Sequence, residues 1–275
     1  MKILVTGGAG FVGSYITDKL IDLGNDVVIL DNLSNGNNLS PKAELVSGDI
    51  CKTEDCIKAV SGCETVFHLA AQVSVQKSTE NPAEDSRINV LGTINMLEAA
   101  KKAGAKNFIY FSSAAVYGNP KKVPISETDP TVPISPYGAS KLAAEGYCRL
   151  YENMTVTIVR PFNIYGPRQD PNSPYSGVIS IFTERAKKGE NLVIYGDGNQ
   201  TRDFIPAERV AELAIKLMGN SGTFNIGTGK PTKINELAER IIKENKSNSE
   251  ITHAPERDGD IRDSWADIEK LKRFS

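Results

Sequence analysis

Thr6-Gly7-Gly8-Ala9-Gly10-Phe11-Val12-Gly13 joins two kinds of pattern. Before it, Ile3 to Thr6 reads as a buried strand; after it, Val12, Ile16, Leu20 and Leu23 recur at helical spacing until Gly24, which suits a helix C-terminus. Gly7, Gly10 and Gly13 therefore stand between a strand and a helix, with Phe11 and Val12 opening the helix. A turn without side chains lets the backbone approach a pyrophosphate, whose charge is held by amides and the positive end of the helix. Glycines also serve tight turns, so the triplet needs context. Asp31 supplies it by closing the second apolar run, Val27 to Leu30, about 20 residues on, where a carboxylate binds adenosine ribose hydroxyls. Asn32, Leu33 and Ser34 follow without an Arg or Lys to neutralise a ribose phosphate, which favours NAD over NADP.

Outward from this turn the same alternation continues. Leu45-Val46 reads as a strand, a helix begins near Thr53 with Cys56, Ile57 and Val60 inward, and Thr65 to Leu69 is a strand. A helix carries Val90, Ile94 and Leu97, and strands follow at Phe108 to Phe111 and Val156 to Val159. Interleaving of this kind builds a parallel sheet covered on both faces. The fold class expected is α/β, a doubly wound parallel Rossmann sheet with a smaller α/β substrate-binding lobe. Residues 1–166 form the sheet domain, with 203–226 packing back onto it; 167–202 and 227–275 form the lobe, where prolines punctuate a loop and the apolar runs shorten. Asp49 and Ile50, after the third strand, either lie against an adenine edge or, for Asp49, cap the following helix.

The 275 residues are 40% hydrophobic and 24% charged, a globular composition. With 32 basic against 34 acidic side chains, the formal charge of -2 offers no electrostatic reason to expect nucleic acid or an anionic membrane as partner. No secretory core or long apolar stretch stands in the sequence, so a cytoplasmic location is expected. Cys51, Cys56, Cys63 and Cys148 show no CxxC spacing, and with two histidines no familiar metal site arises; they read as reduced thiols.

Tyr137 and Lys141 are four residues apart, which stacks them on one helical face just after Pro136. A phenol with a reference pKa of about 10 needs a neighbouring ammonium to act as a base at neutral pH. Ser112 and Ser113 close a strand where the carboxyl ends of parallel strands open onto the ligand crevice. A serine hydroxyl there shares a substrate proton with the tyrosine, or makes only a strand-end hydrogen bond, the plainer reading for Ser112.

With these residues in view, the chain resembles the extended short-chain dehydrogenase/reductase superfamily, and most closely the NAD-dependent UDP-glucose 4-epimerase family. The resemblance rests on TGGAGFVG at 6–13, HLAAQ at 68–72, FSSAAVYG at 111–118, SPYGASK at 135–141, RPFNIYGPRQ at 160–169, GDGNQTRDFI at 196–205 and ERDGDIRDSWAD at 256–267. It implies a catalytic trio of Ser113, Tyr137 as base, and Lys141, which also binds the nicotinamide ribose. It implies a cofactor site completed by Leu69, Ala70, Ala71, Asn89, Ser112 and Pro161, with Asn89 positioning the lysine helix or cofactor side. Asn163 would touch the sugar diphosphate, Arg202 and Arg257 its phosphates, and Asp260 the uridine ribose. Arg202 beside Asp203 also reads as a surface ion pair, and Leu192, Ile194 and Tyr195 as lobe core or as neighbours of the uracil. Ser264, before Trp265, stands where the family pattern limits the pocket beside sugar carbon 2, and a small residue leaves room for N-acetylated hexosamines. Ala114 and Ala115 replace the Asp-Glu pair of related dehydratases. Nucleotide-sugar dehydratases, decarboxylases, reductases and a noncatalytic NAD-binding regulator are the alternatives to a UDP-sugar epimerase. The resemblance further implies a homodimer built on the helices at 89–103 and 137–151, with Leu97 and Leu142 either at that interface or in the core. Relatives continue beyond Ser275, so a minimal or truncated C-terminal lobe is expected.

Overall fold

The computed structural model describes residues 1–169, 177–256 and 260–274. Its centre is a seven-stranded sheet of β1 (Lys2–Thr6), β2 (Asp26–Asp31), β3 (Glu44–Ser47), β4 (Thr65–His68), β5 (Asn107–Phe111), β6 (Thr155–Pro161) and, after four strands outside this sheet, β11 (Gly222–Ile226). Those four are β7 (Asn163–Tyr165), β8 (Leu192–Tyr195), β9 (Thr201–Arg202) and β10 (Phe204–Pro206); β12 (Thr232–Lys233), β13 (Ile251–Ala254) and β14 (Asp263–Ser264) come last. The sheet order is β3-β2-β1-β4-β5-β6-β11, and every pairing is parallel. Chain order reverses between β1 and β4, so the connections leaving their carboxyl ends diverge and open a crevice.

Alternation along β1 sends Leu4 to one face and Ile3 and Val5 to the other. Leu4 joins a core with α2 (Thr53–Val60) and, beyond α3 (Val75–Glu80) and α4 (Pro82–Ser86), with α5 (Gly92–Ala103). Ile3 and Val5 pack with Ile16 and Leu20 of α1 (Phe11–Asp22) and with Val210 and Leu213 near the chain's later helices. Those helices are α6 (Pro136–Cys148), α7 (Val178–Lys188), α8 (Ala207–Lys216) and α9 (Ile234–Glu244), and α8 lies against α1. Both faces are thus covered, which keeps an all-parallel sheet dry. Within α2, Cys56 and Val60 face inward as expected, but Ile57 is 47% exposed. At 100° per residue it lies outside the arc shared by Cys56, Ala59 and Val60.

In the smaller lobe β13 pairs with β8 in parallel, and Phe182, Leu192, Ile194, Leu237 and Ile241 form a separate core between α7 and α9. β9 pairs with β12 and β14, while β10 pairs with β7. One boundary differs from the sequence expectation: Leu271 belongs to the core of the main sheet, and Phe274 meets Phe224 of β11 edge-on at 5.4 Å. Leu97 is fully buried and Leu142 packs against the Val116, Tyr117 and Phe162 cluster, so both are core. No helix among the described residues is long and apolar enough to cross a membrane.

Candidate active site

The turn after β1 brings backbone very close to backbone. Gly7 takes φ +70°, and a Cβ at Gly13 would stand 2.1 Å from the Gly7 carbonyl oxygen, so any side chain there would push α1 off the turn. Asp31 braces the same turn: one carboxylate oxygen accepts from the Ala9 N–H at 3.0 Å and the other from the Leu33 N–H at 2.8 Å. The segment beyond Asp31 folds over the turn, with the Asn38 N–H donating to the Ala9 carbonyl at 2.9 Å.

A cleft of about 730 Å³ runs from this turn across the carboxyl ends of the sheet. Gly7, Gly10, Phe11, Val12 and Gly13 line its floor, and Asp31, Asn32, Asp49 and Ile50 its far end. Leu69, Ala70, Ala71, Ser112, Pro161, Tyr137 and Lys141 line the rest. The cleft suits a dinucleotide without a ribose phosphate: Asn32, Ser34, Asn35 and Gly36 surround Asp31 in it. Asp49 does not cap α2, whose N-cap is Lys52; it accepts from the Cys51 N–H at 2.9 Å and faces the cleft.

Helix α6 places the reactive pair. Ser135 caps it by accepting from the Gly138 N–H at 3.1 Å, and Pro136 occupies its first turn. Lys141, 4% exposed, donates from Nζ to the Phe111 carbonyl at 2.9 Å and lies over the Tyr110 ring at 5.2 Å. Burial lowers its ammonium to about 8, against a partly offsetting pull from the Asp85 carboxylate. The Tyr137 hydroxyl is pushed up by burial and pulled down by a hydrogen bond from Ser113, with a net rise. Ser113 also accepts from the Ala115 N–H at 3.1 Å, which starts the short 3-10 turn Ala114–Tyr117. Ser112 points the other way and donates to Glu145 at 2.6 Å.

Two expected site residues are buried instead. Asn89, 1% exposed, accepts from the Gln72 N–H at 2.8 Å and donates to Ser140 and Asp85, each at 3.1 Å. It sits in a single π-helical turn, Arg87–Leu91, that turns its amide under the cleft, so it holds the α6 side and does not line the cofactor groove. Ile194, 1% exposed, belongs to the lobe core, because alternation along β8 turns it between α7 and α9 while Tyr195 is 37% exposed. Asn163 is exposed at the start of β7. Arg202 donates to Asp260 at 2.9 Å, and Asp203 turns inward, so the Arg202–Asp203 ion pair does not form. Ser264 is 9% exposed and registers beside Arg202 across β14 and β9. Arg257 lies outside the described residues. Sequence reasoning missed Gln72, Asp85 and Glu145. Gln72 stood inside HLAAQ, and Glu145 continues the Tyr137–Lys141 face by one more turn; Asp85 left no local signal.

The model of the NAD dependent epimerase/dehydratase family matches residues 3–227. The chain is 40% identical over 282 residues to the UDP-glucose 4-epimerase of Mycolicibacterium smegmatis, across 97% of this chain and 90% of that one. Among solved structures it resembles the UDP-glucose 4-epimerase of Thermotoga maritima, determined with UDP-glucose, at TM-score 0.95 and 41% identity over 99% of this chain and 92% of that one. It resembles equally in shape the UDP-N-acetylglucosamine 4-epimerase of Methanobrevibacter ruminantium, in complex with UDP-N-acetylmuramic acid, at TM-score 0.95 and 38% identity over 100% and 91% of the two chains.

Proposed function

The chain belongs to the NAD-dependent epimerase/dehydratase family, and from that premise we propose that it epimerises a UDP-hexose at carbon 4 through a transient 4-keto sugar. The observation that carries this reading is the Ser113–Tyr137–Lys141 arrangement at the mouth of the dinucleotide cleft, next to Ala114 and Ala115. Dehydration needs a further acid and base at that place, and two methyl groups provide neither. NAD, when bound, supplies the acceptor and donor of a hydride at sugar carbon 4 and a positive ring charge beside Tyr137. Tyr137 takes the proton of the carbon 4 hydroxyl and later returns it, with Ser113 sharing the hydrogen bond. Lys141 keeps its charge at neutral pH, being lowered only to about 8, and stabilises the phenolate. Arg202 and Arg257 bind the diphosphate, Asp260 the uridine ribose, and Asn163 the diphosphate edge. Fixed guanidinium forks suit a dianionic group, and anchoring the nucleotide lets the sugar turn over within the site.

Proton NMR of purified protein with UDP-galactose and NAD, following the anomeric signals, tests this. UDP-glucose should appear without net redox change, and Tyr137→Phe should slow it by about 10²-fold or more. An unchanged spectrum from protein with bound NAD would refute the reading. The hydroxymethyl of Ser264 leaves space beside carbon 2, so both UDP-galactose and UDP-N-acetylgalactosamine should turn over. Ser264→Tyr should lower kcat/KM for the N-acetyl substrate at least about tenfold more than for UDP-galactose, on the scale of pocket discrimination. Equal loss of both activities would sink that part.

A further inference from the structure

Among the described residues three carboxylates are buried, and one differs from the others. Glu145 is met by Ser112, Arg160 and Arg149, and Asp203 by Thr228, Gly229 and Ala266. Asp85, 1% exposed on α4, has one oxygen accepting from Gln72 Nε2 at 2.7 Å and Asn89 Nδ2 at 3.1 Å. Its other oxygen is buried and has no hydrogen-bond partner. No cation donates to either oxygen among the described residues, and a buried carboxylate in that state is costly unless an opposite charge nearby compensates it. The Asn89 amide that holds Asp85 also reaches Ser140 Oγ at 3.1 Å, and Ser140 donates to the Tyr137 carbonyl at 3.0 Å, so the carboxylate is tied to the helix of the reactive pair.

We propose that Asp85 is a positioning residue for the proposed chemistry: its buried, half-satisfied carboxylate is the fixed counter-charge of the Lys141 ammonium. The inference rests on the functional reading above only for what Lys141 is used for. Among the carboxylates acting on Lys141, Asp85 is the stronger, ahead of Glu145 on its own helix, while the buried Cys148 thiol stays neutral. Glu145 is already neutralised by Arg160 and Arg149. From β5 the lysine lies over the face of Tyr110; His68 of β4, lowered by burial and by the Lys141 charge, is held neutral, and the Asp85 charge also raises the Tyr137 hydroxyl. Among the described residues Lys141 itself hydrogen-bonds a carbonyl and no carboxylate, so Asp85 acts on it through space.

Asp85→Asn is a clean test, because the amide oxygen keeps both accepted hydrogen bonds and the amide nitrogen replaces the oxygen that has no partner. Titration of lysine ¹³Cε signals by NMR, with Lys141 assigned by its loss in Lys141→Met, reads the effect without any turnover. The Lys141 inflection should fall by about one pH unit in Asp85→Asn. Where the protein is active, both limbs of the kcat–pH profile should move to lower pH, leaving the variant about tenfold below wild type at pH 9. An unmoved Lys141 inflection would overturn the proposal and leave Asp85 a structural residue. Asp85→Ser gives the same reading if the asparagine variant does not fold. A shifted inflection in a protein that does not convert UDP-galactose would keep Asp85 in this role and refute the epimerase reading instead.

Discussion

His68 is 1% exposed between Thr6 and Thr93, and its neighbours determine where its proton sits. Thr6 Oγ1 accepts from the Leu69 and Ala70 N–H groups, so its hydroxyl donates to His68 Nδ1 at 2.8 Å. His68 Nε2–H then donates to Thr93 Oγ1 at 3.1 Å, and Thr93 donates to the Asn89 carbonyl at 2.7 Å. A second ring proton would find no acceptor, and burial, with the Lys141 charge, lowers the imidazole to about 3. The unfolded chain binds a proton near pH 6.5 that the folded chain refuses until about 3. The stability this gives is fully present above pH 7 and is lost on acidification, by about 2 kcal/mol between pH 7 and pH 5. Urea unfolding of wild type and His68→Gln across that range checks it: the difference between the two should narrow by about that amount as pH falls. A constant difference would show that His68 is not the group that titrates.

At the scale of elements, α6 is held by its third inward-facing position. Tyr137, Lys141 and Glu145 succeed one another at single-turn spacing, and Glu145 grips Arg160 of β6 through two bonds of 2.8 and 2.6 Å. Arg160 continues to the Tyr117 hydroxyl at 2.9 Å, and Tyr117 donates to Asn225 of β11 at 2.6 Å. The helix with the reactive pair, the serine strand end and two neighbouring strands are thereby locked together. Burial raises the Glu145 carboxyl, but the Arg160 fork, with Ser112 and Arg149, more than offsets it and leaves it lowered. Glu145→Gln removes one charge and strands Arg160, 3% exposed, without its counter-ion. Unfolding free energy should fall by about 3 kcal/mol, measured by urea denaturation, and Arg149→Ala at the exposed third partner should cost less than about 1 kcal/mol.

At the scale of the whole molecule, the two lobes meet at one inward-turned carboxylate. Asp203, fully buried between β9 and β10, accepts from the Thr228 N–H at 2.8 Å, the Gly229 N–H at 2.9 Å and the Ala266 N–H at 3.2 Å, and from the Thr228 hydroxyl. Its own carbonyl accepts from the Asn163 N–H at 3.0 Å, so the strand leaving the main sheet and the segment carrying Ser264 and Trp265 are joined there. Asp203→Ala leaves three N–H groups unpaired, that of Ala266 buried and those of Thr228 and Gly229 half-buried, and should cost about 3 kcal/mol, read as a lower urea midpoint. Weaker binding of UDP than of NAD in the same variant would show that the small lobe has shifted against the sheet.

The parallel sheet, the glycine turn, the Asp31 carboxylate and the Tyr137–Lys141 pair were all legible in the sequence, because each is a local pattern: alternation of two, helical spacing of four, a turn that admits no Cβ. The reversal of strand order that opens the cleft was implied only by the kind of fold. Tertiary structure alone decided that Asn89 turns beneath the groove, that Ile194 is core, that Arg202 faces Asp260 and that the last residues pack on the main sheet. It also decided the role of Glu145 and the unsatisfied oxygen of Asp85. The partners in these cases come from different elements, and whether a polar side chain is a ligand contact, a brace or a buried charge depends on which distant groups the packed chain sets against it.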